Sequence, residues 1–491
     1  MRLFLTFLTS VVLLATESEW HFYGRDPGGE RFSPLRQINR ENVSKLKVAW
    51  SFATGEPDVK TAFEATPLMI EGVLYFSTSH YRVIALDAET GKPIWEYNDQ
   101  AGVPKRKTLQ NRGLTYWKGR IFAAGINGTL LSLDAKTGKP VVEFGDNGRL
   151  YLRSGVAEGT PEESYNLTSP PAIYKDLIIT GAQVPEPTPQ GPSGMVRAFH
   201  AGTGKLVWKF NTIPQPGEFG HDTWEGDSWK HRTGVNVWSL MSVDEKRGLI
   251  FLPTGSPSYD FYGGDRKGSN LFANSLIALD AKTGRRVWHH QLVHHDIWDY
   301  DLPAMPMLLR IAGKDAVVQL TKMGLVFVFD RVTGKPLFPI EERPVPQSDV
   351  PGEKTWPTQP IPAKPPPLSR MELKESEVSS VTPEAAKYCR QLFASAVHKG
   401  LYTPWTTKMT LAMPGTLGGA TWSGGSFDPS TNLLYVNVNE FGAIGRLEKQ
   451  SDGTAVLYRR RSPSGEYMRF GTMDLWPCQA PPWGSLVAVD L

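Results

Sequence analysis

The chain has 491 residues, 40% hydrophobic and 21% charged, with a net charge of +3. That composition excludes a disordered chain and a polytopic membrane protein, and with so small a net charge and no Lys/Arg run longer than three residues it gives nucleic-acid binding no electrostatic support. Its 47 Gly and 39 Pro imply many turns, and its 15 Trp imply one tryptophan position used repeatedly.

The first element is Arg2 followed by an apolar run over residues 3–15 and a polar stretch over 16–19. Too short to span a bilayer, it predicts a secretory signal over residues 1–18 and an exported, periplasmic protein. No later stretch predicts a membrane span. Strands are predicted at 73–77, 120–124, 177–180 and 249–252, and a repeated unit follows each. Ala85-Leu-Asp87-Ala-Glu-Thr-Gly91-Lys-Pro-Ile-Trp95 returns as Ser132-Leu-Asp134-Ala-Lys-Thr-Gly138-Lys139 and as Ala198-Phe-His200-Ala-Gly-Thr-Gly204-Lys-Leu-Val-Trp208. It recurs as Ala278-Leu-Asp280-Ala-Lys-Thr-Gly284-Arg-Arg-Val-Trp288 and as Val328-Phe-Asp330-Arg-Val-Thr-Gly334-Lys335. Alternation before the Asp makes a strand, the Asp caps a turn, the Gly supplies positive φ, and the Trp is large enough to wedge between sheets. A near-constant unit at unequal steps describes propeller blades with loops inserted on one face.

Residues 339–368 are Pro-rich and read as a long surface excursion; helical periodicity is confined to 383–397. Cys389 and Cys478 fit no CxxC or CxxCH pattern, which excludes an attached c-type haem and a Cys zinc site. In an exported chain they could form one disulfide. The stretch from Trp483 to Leu491 stops where another repeat would deliver its turn and Trp strand. The expectation is therefore one all-β domain over 19–491, about six blades, truncated at its C-terminal end.

The repeat resembles the tryptophan-docking motif of the eight-bladed pyrroloquinoline quinone (PQQ) dehydrogenases, and the resemblance runs from Trp20 to Leu491. It is nearest to the glucose- and quinate-type branch. The most specific stretch is His294-His295-Asp296-Ile-Trp298-Asp299-Tyr-Asp301, which is similar to the family's signature around its catalytic aspartate, with Thr321-Lys322-Met-Gly324 on the next strand. Two features depart from the pattern. There is no adjacent Cys-Cys pair before Arg112, and family members normally continue for further blades.

The resemblance implies a PQQ- and Ca²⁺-dependent dehydrogenase acting on an alcohol, sugar or polyol hydroxyl, with an external quinone or cytochrome as electron acceptor. Asp296 takes the position of the general base, although a loop aspartate most commonly caps a turn. Asp299 and Asp301 are read as structural. Glu186, Asp296 and Ser256 are the metal candidates, Ser256 or Ser258 standing where alcohol dehydrogenases of the family place Asn; calcium favours such hard oxygens. Arg112 and Lys322 supply cations for cofactor carboxylate and quinone oxygens, Glu64 and Thr168 match further contacts, Trp238 forms the floor under the ring, and Trp422 is a second aromatic candidate. A non-catalytic propeller scaffold, or a degenerate enzyme, is the competing expectation; neither explains the His294–Asp301 and Thr321–Gly324 stretches.

Overall fold

The structure is a computed structural model that describes residues 19–56, 63–103, 107, 110–451 and 453–491; the expected signal segment lies outside them. The predicted alternation becomes four four-stranded antiparallel meanders in succession. Blade one is Leu68–Ile70, Val73–Ser77, Arg82–Asp87 and Pro93–Asn98; blade two is Thr115–Trp117, Arg120–Gly125, Thr129–Asp134 and Arg149–Tyr151. Blade three is Ala172–Tyr174, Leu177–Thr180, Val196–His200 and Leu206–Phe210; blade four is Ser242–Asp244, Leu249–Pro253, Ser275–Asp280 and Arg286–Gln291. A three-stranded blade five follows (Met307–Ile311, Lys314–Leu320, Val326–Asp330), and blade six pairs Gly425–Asp428, Leu433–Asn439 and Gly484–Asp490.

The repeat residues do what their chemistry predicts. Asp87 Oδ1 accepts hydrogen bonds from the Thr90 N–H (2.8 Å) and hydroxyl (2.6 Å), and Asp134, Asp280 and Asp330 repeat the pattern. Each tryptophan then docks on the turn of the following blade. The indole N–H donates to a turn carbonyl from Trp50 to Ala88 (3.2 Å), Trp95 to Ala135 (2.9 Å), Trp208 to Ala281 (3.1 Å) and Trp288 to Arg331 (3.3 Å). A Cβ on the turn glycines Gly91, Gly138, Gly284 or Gly334 would lie 2.4–2.7 Å from those rings, so only glycine lets the indole sit there. All four glycines also have positive φ. Blade two lacks the tryptophan, and Phe144 packs against the turn at Gly204 instead. Apolar side chains of neighbouring blades fill the space between them, as where Ile179 and Trp208 meet Ile250 and Ile277.

Residues 20–31 cross the innermost strands. Trp20 pairs with Met69, and the carbonyls of Pro27, Gly28 and Glu30 accept from Val243, Leu308 and Phe427 N–H, each at 2.9 Å. One short segment thereby ties blades one, four, five and six together.

The Pro-rich stretch is a largely exposed excursion, but it has regular structure of its own. It forms a hairpin, Ile340–Pro344 with Thr358–Pro362, and buried Gln359 grips the His294 backbone through its amide oxygen (2.8 Å) and nitrogen (2.7 Å). Alternate prolines fit there because a two-stranded ribbon asks for few N–H donors. The expected helix is present as Pro383–Ser395, with Thr382 capping Ala385 N–H at 3.1 Å. Its Cys389 is disulfide-bonded to Cys478. Among the described residues no helix is long and apolar enough to cross a membrane.

Candidate active site

Most of the candidate residues sit just ahead of an innermost strand: Glu64 before blade one, Arg112 before two, Thr168 before three, Trp238 before four, Asp299 and Asp301 before five, Trp422 before six. This placement follows from the repeat. The connections entering the blades open on one mouth of the propeller, so residues far apart in sequence converge there. Backbone hydrogen bonds lock neighbours in register: Thr66 N–H donates to Arg112 O (3.2 Å), and Arg112 N–H to Thr168 O (3.0 Å).

The loop carrying His294–Asp301 alternates. Asp296, Trp298 and Tyr300 turn inward, where the two rings stack at 6.1 Å and their polar atoms bond Thr403 O (2.9 Å) and Pro414 O (2.7 Å). Asp299 and Asp301 face a cavity of about 440 Å³. His295 anchors the loop, its two ring nitrogens at 2.8 Å from Gly268 O and 2.9 Å from Glu353 Oε1.

This alternation moves Asp296 out of the position expected for it. Asp296 has no exposure and is not among the residues lining the cavity. Its Oδ1 accepts from Trp298 N–H (3.0 Å); its Oδ2 faces Tyr300 N–H (3.0 Å), Asn274 Nδ2 (3.1 Å) and the Ser256 hydroxyl (2.5 Å). The aspartate is thus a turn cap whose lone pairs are committed, a poor base and a poor metal ligand. Ser256 shares that correction. Its hydroxyl lies between Asp296 and Asp301 Oδ1 (2.8 Å), behind the wall and away from the cavity.

The cavity is built around Lys322. Its Nζ donates to Asp299 Oδ1 at 2.7 Å and to Asp301 Oδ2 at 3.0 Å. Gly418 packs so closely on the lysine stem that a Cβ there would be 2.6 Å from Lys322 Cγ. Burial alone would strip the proton from Lys322, but the two carboxylates outweigh it and hold the ammonium charged. The carboxylates diverge. Burial raises Asp301, yet Lys322 and the Ser256 N–H and hydroxyl outweigh burial and leave it below the usual range. Asp299 has only Lys322 against burial and the neighbouring Asp301, and is pushed well above the usual range. Of the pair, Asp299 is the stronger proton acceptor.

Trp238 and Trp422 also line the cavity, with the Arg112 guanidinium carbon 5.0 Å from each ring. Trp238 is fixed at both ends. Its Nε1–H donates to Asp301 Oδ2 (3.1 Å), and its carbonyl accepts the Thr168 (2.9 Å) and Ser169 (2.8 Å) hydroxyls. Arg112 pairs with Glu64 at 3.1 Å. Glu186 lies in the wall, open to the cavity yet surrounded by protein, and burial followed by the charge of Asp301 raises its carboxyl. Asp260 is close enough to feel Glu186, Asp299 and Asp301; burial and then those charges push it well above its ordinary range, and its Oδ1 has no donor among the described residues. Among the described residues no three His, Cys, Asp or Glu side chains converge as a metal cage.

The sequence reading missed the polar residues Tyr467, Arg469, Gln110 and Gln183, which also line the cavity. Tyr467 and Arg469 come from an irregular insertion between the strands of blade six, and no repeat or periodicity announces them.

A cavity of this size lies within the ~300–1,000 Å³ typical of cofactor sites. The family model for PQQ glucose/ethanol/alcohol dehydrogenases, β-propeller domain, matches residues 20–491. The chain is 34% identical to a quinate/shikimate dehydrogenase (quinone) of Acinetobacter baylyi, over 96% of this chain and 64% of that protein. It is 33% identical to a quinoprotein glucose dehydrogenase of Gluconobacter oxydans, over 96% of this chain and 65% of that protein. The chain therefore spans just under two thirds of the length of these relatives. Among solved structures, a quinohemoprotein alcohol dehydrogenase of Comamonas testosteroni matches with a TM-score of 0.69 at 25% identity, covering 97% of this chain and 68% of that one. A repeated tryptophan dock, a mouth lined by Arg112, Trp238, Asp299, Asp301 and Lys322, and these matches give one answer: the chain belongs to the PQQ-dependent dehydrogenase β-propeller family.

Proposed function

We propose that this chain oxidises the hydroxyl of an alcohol, sugar or polyol with PQQ and a divalent cation, and that Asp299 is the proton acceptor. The observation that carries the reading is the Asp299–Lys322–Asp301 group facing a cavity flanked by Trp238 and Trp422. The lining suits a flat, polyanionic cofactor. Trp238 and Trp422 offer ring faces, while Arg112 and Lys322 offer cations for carboxylate and quinone oxygens.

The lining also suits a hard cation. Glu186, Asp299 and Asp301 are the oxygen donors in reach, and the raised protonation of Glu186, Asp260 and Asp299 marks negative charge that a cation would relieve. Since no three of the described side chains form a cage, cofactor oxygens or water would complete the coordination. When bound, PQQ supplies a quinone that accepts hydride, and calcium a Lewis acid on its carbonyl. The protein's part is to orient the hydroxyl and take its proton. Asp299 receives it, Lys322 holds that carboxylate in place and compensates the change in charge, and Asp301 fixes both Lys322 and Trp238. Electrons would leave to an external quinone or cytochrome. The N-terminal apolar run and the Cys389–Cys478 disulfide support an exported, periplasmic protein.

The test is reconstitution with PQQ and calcium, desalting, and assay of hydroxyl substrates with an artificial electron acceptor. Quinone absorbance that survives desalting, with turnover that depends on Asp299, is the expected result. PQQ that passes straight through the column with calcium present would return the chain to a non-catalytic scaffold.

A further inference from the structure

Three cations line the cavity, and two are committed: Arg112 to Glu64 and Lys322 to Asp299 and Asp301. The third, Arg469, has no carboxylate within ion-pair distance among the described residues. It is solvent-exposed where it lines the cavity, its guanidinium carbon is 5.3 Å from the Phe441 ring, and its backbone is pinned by pairing with Ala443. Stacking on an aromatic face leaves the N–H edge of a guanidinium free, and that planar fork matches a carboxylate.

We infer that Arg469 is a specificity residue that receives the carboxylate of an anionic substrate, so that the compound oxidised is a hydroxy acid rather than a neutral alcohol or aldose. The inference rests on the oxidation proposed above and adds its substrate class. A neutral hydroxyl compound offers an uncommitted cation in this cavity hydrogen-bond acceptors but no opposite charge, whereas a carboxylate offers both. Identity does not decide the matter, because relatives named for quinate, glucose and glycerol all lie between 30% and 34%. The arginine does, since quinate carries a carboxylate and the other two do not.

The experiment uses the full chain loaded with PQQ and calcium, and compares quinate with its methyl ester, which keeps the hydroxyls and loses the charge. The parent should prefer the acid in kcat/KM. In Arg469→Gln that acid-over-ester preference should fall roughly 10-fold or more, mainly through KM for the acid. Arg469→Lys should restore part of the preference, because it keeps the charge without the fork. PQQ absorbance after desalting is read on every variant. Loss of the cofactor from Arg469→Gln would assign the arginine to the cofactor and overturn the inference. A parent that holds PQQ but treats acid and ester alike overturns it as well. A parent that retains no PQQ sinks the underlying reading of the cavity, and this inference with it.

Discussion

Asp296→Asn and Asp299→Asn should fail in opposite ways. At position 296 the carboxylate faces four donors, one on Oδ1 and three on Oδ2. An asparagine keeps most of them by placing its carbonyl oxygen at the Oδ2 site, which turns its amide NH₂ onto the Trp298 N–H. Two buried donors then lack partners at about 1–3 kcal/mol each, or about 2–6 kcal/mol together. Removal of a buried charge gives some of that back, since burial is the leading cause of the raised Asp296 carboxyl. The expected net loss is about 2–3 kcal/mol, read as a lower thermal or denaturant midpoint, with turnover reduced only as far as the loop shifts. At position 299 the side chain accepts from Lys322, with no backbone donor to it among the described residues. Asp299→Asn should therefore hold its midpoint to within about 1 kcal/mol. PQQ absorbance should persist, and turnover should fall on the order of 10²–10⁴. Both variants are compared by melting and by single-turnover reduction of the loaded protein. An Asp296→Asn protein that melts like the parent but does not turn over would restore Asp296 as the base and refute the alternation argument.

Lys322→Met leaves Asp299 and Asp301 buried without their counter-ion, which should cost about 3–5 kcal/mol in a denaturant titration; a midpoint like the parent's would mean the ion pairs contribute nothing. Gly284→Ala places a Cβ 2.6 Å from the Trp208 ring at a φ of +71°, and strain plus displacement of the indole should cost about 2–5 kcal/mol with a red shift in tryptophan fluorescence. Glu186, Asp260 and Asp299 all bind protons more tightly folded than unfolded. Their contribution to stability is full below the ordinary carboxylate range and is lost as pH rises through the raised folded values. Calcium competes with those protons, so the melting-temperature gap between calcium and chelator should widen from pH 5 to pH 8; a gap independent of pH would remove these carboxylates from cation binding.

How far the sequence could be read depended on whether a residue's surroundings repeat. Asp87, Gly91 and Trp95 make contacts that recur blade after blade, so composition and spacing were enough to find the fold. Arg112, Thr168, Trp238 and Trp422 were legible through the family resemblance and not through the repeat, although each stands just ahead of an innermost strand. Asp296 was misplaced because the first aspartate of a motif is no better marked than the third. The signal lay in the side-chain period: Asp296 shares its side with Trp298 and Tyr300, aromatic residues that have to be buried, whereas Asp299 and Asp301 fall on the other side. The hairpin from Ile340 to Pro362 was hidden for a different reason. Its strands hold few apolar residues, and it is fixed by the buried Gln359 amide on the His294 backbone together with Ile340 and Ile361 packed on the core. Tyr467 and Arg469 reach the cavity through pairing with Ala443 and a hydrogen bond to Asp260, contacts made across more than one insertion. Such groups are supplied by loops that obey no period. That is why the lining residues covered by the family resemblance could be named from the chain, while Tyr467 and Arg469 could not.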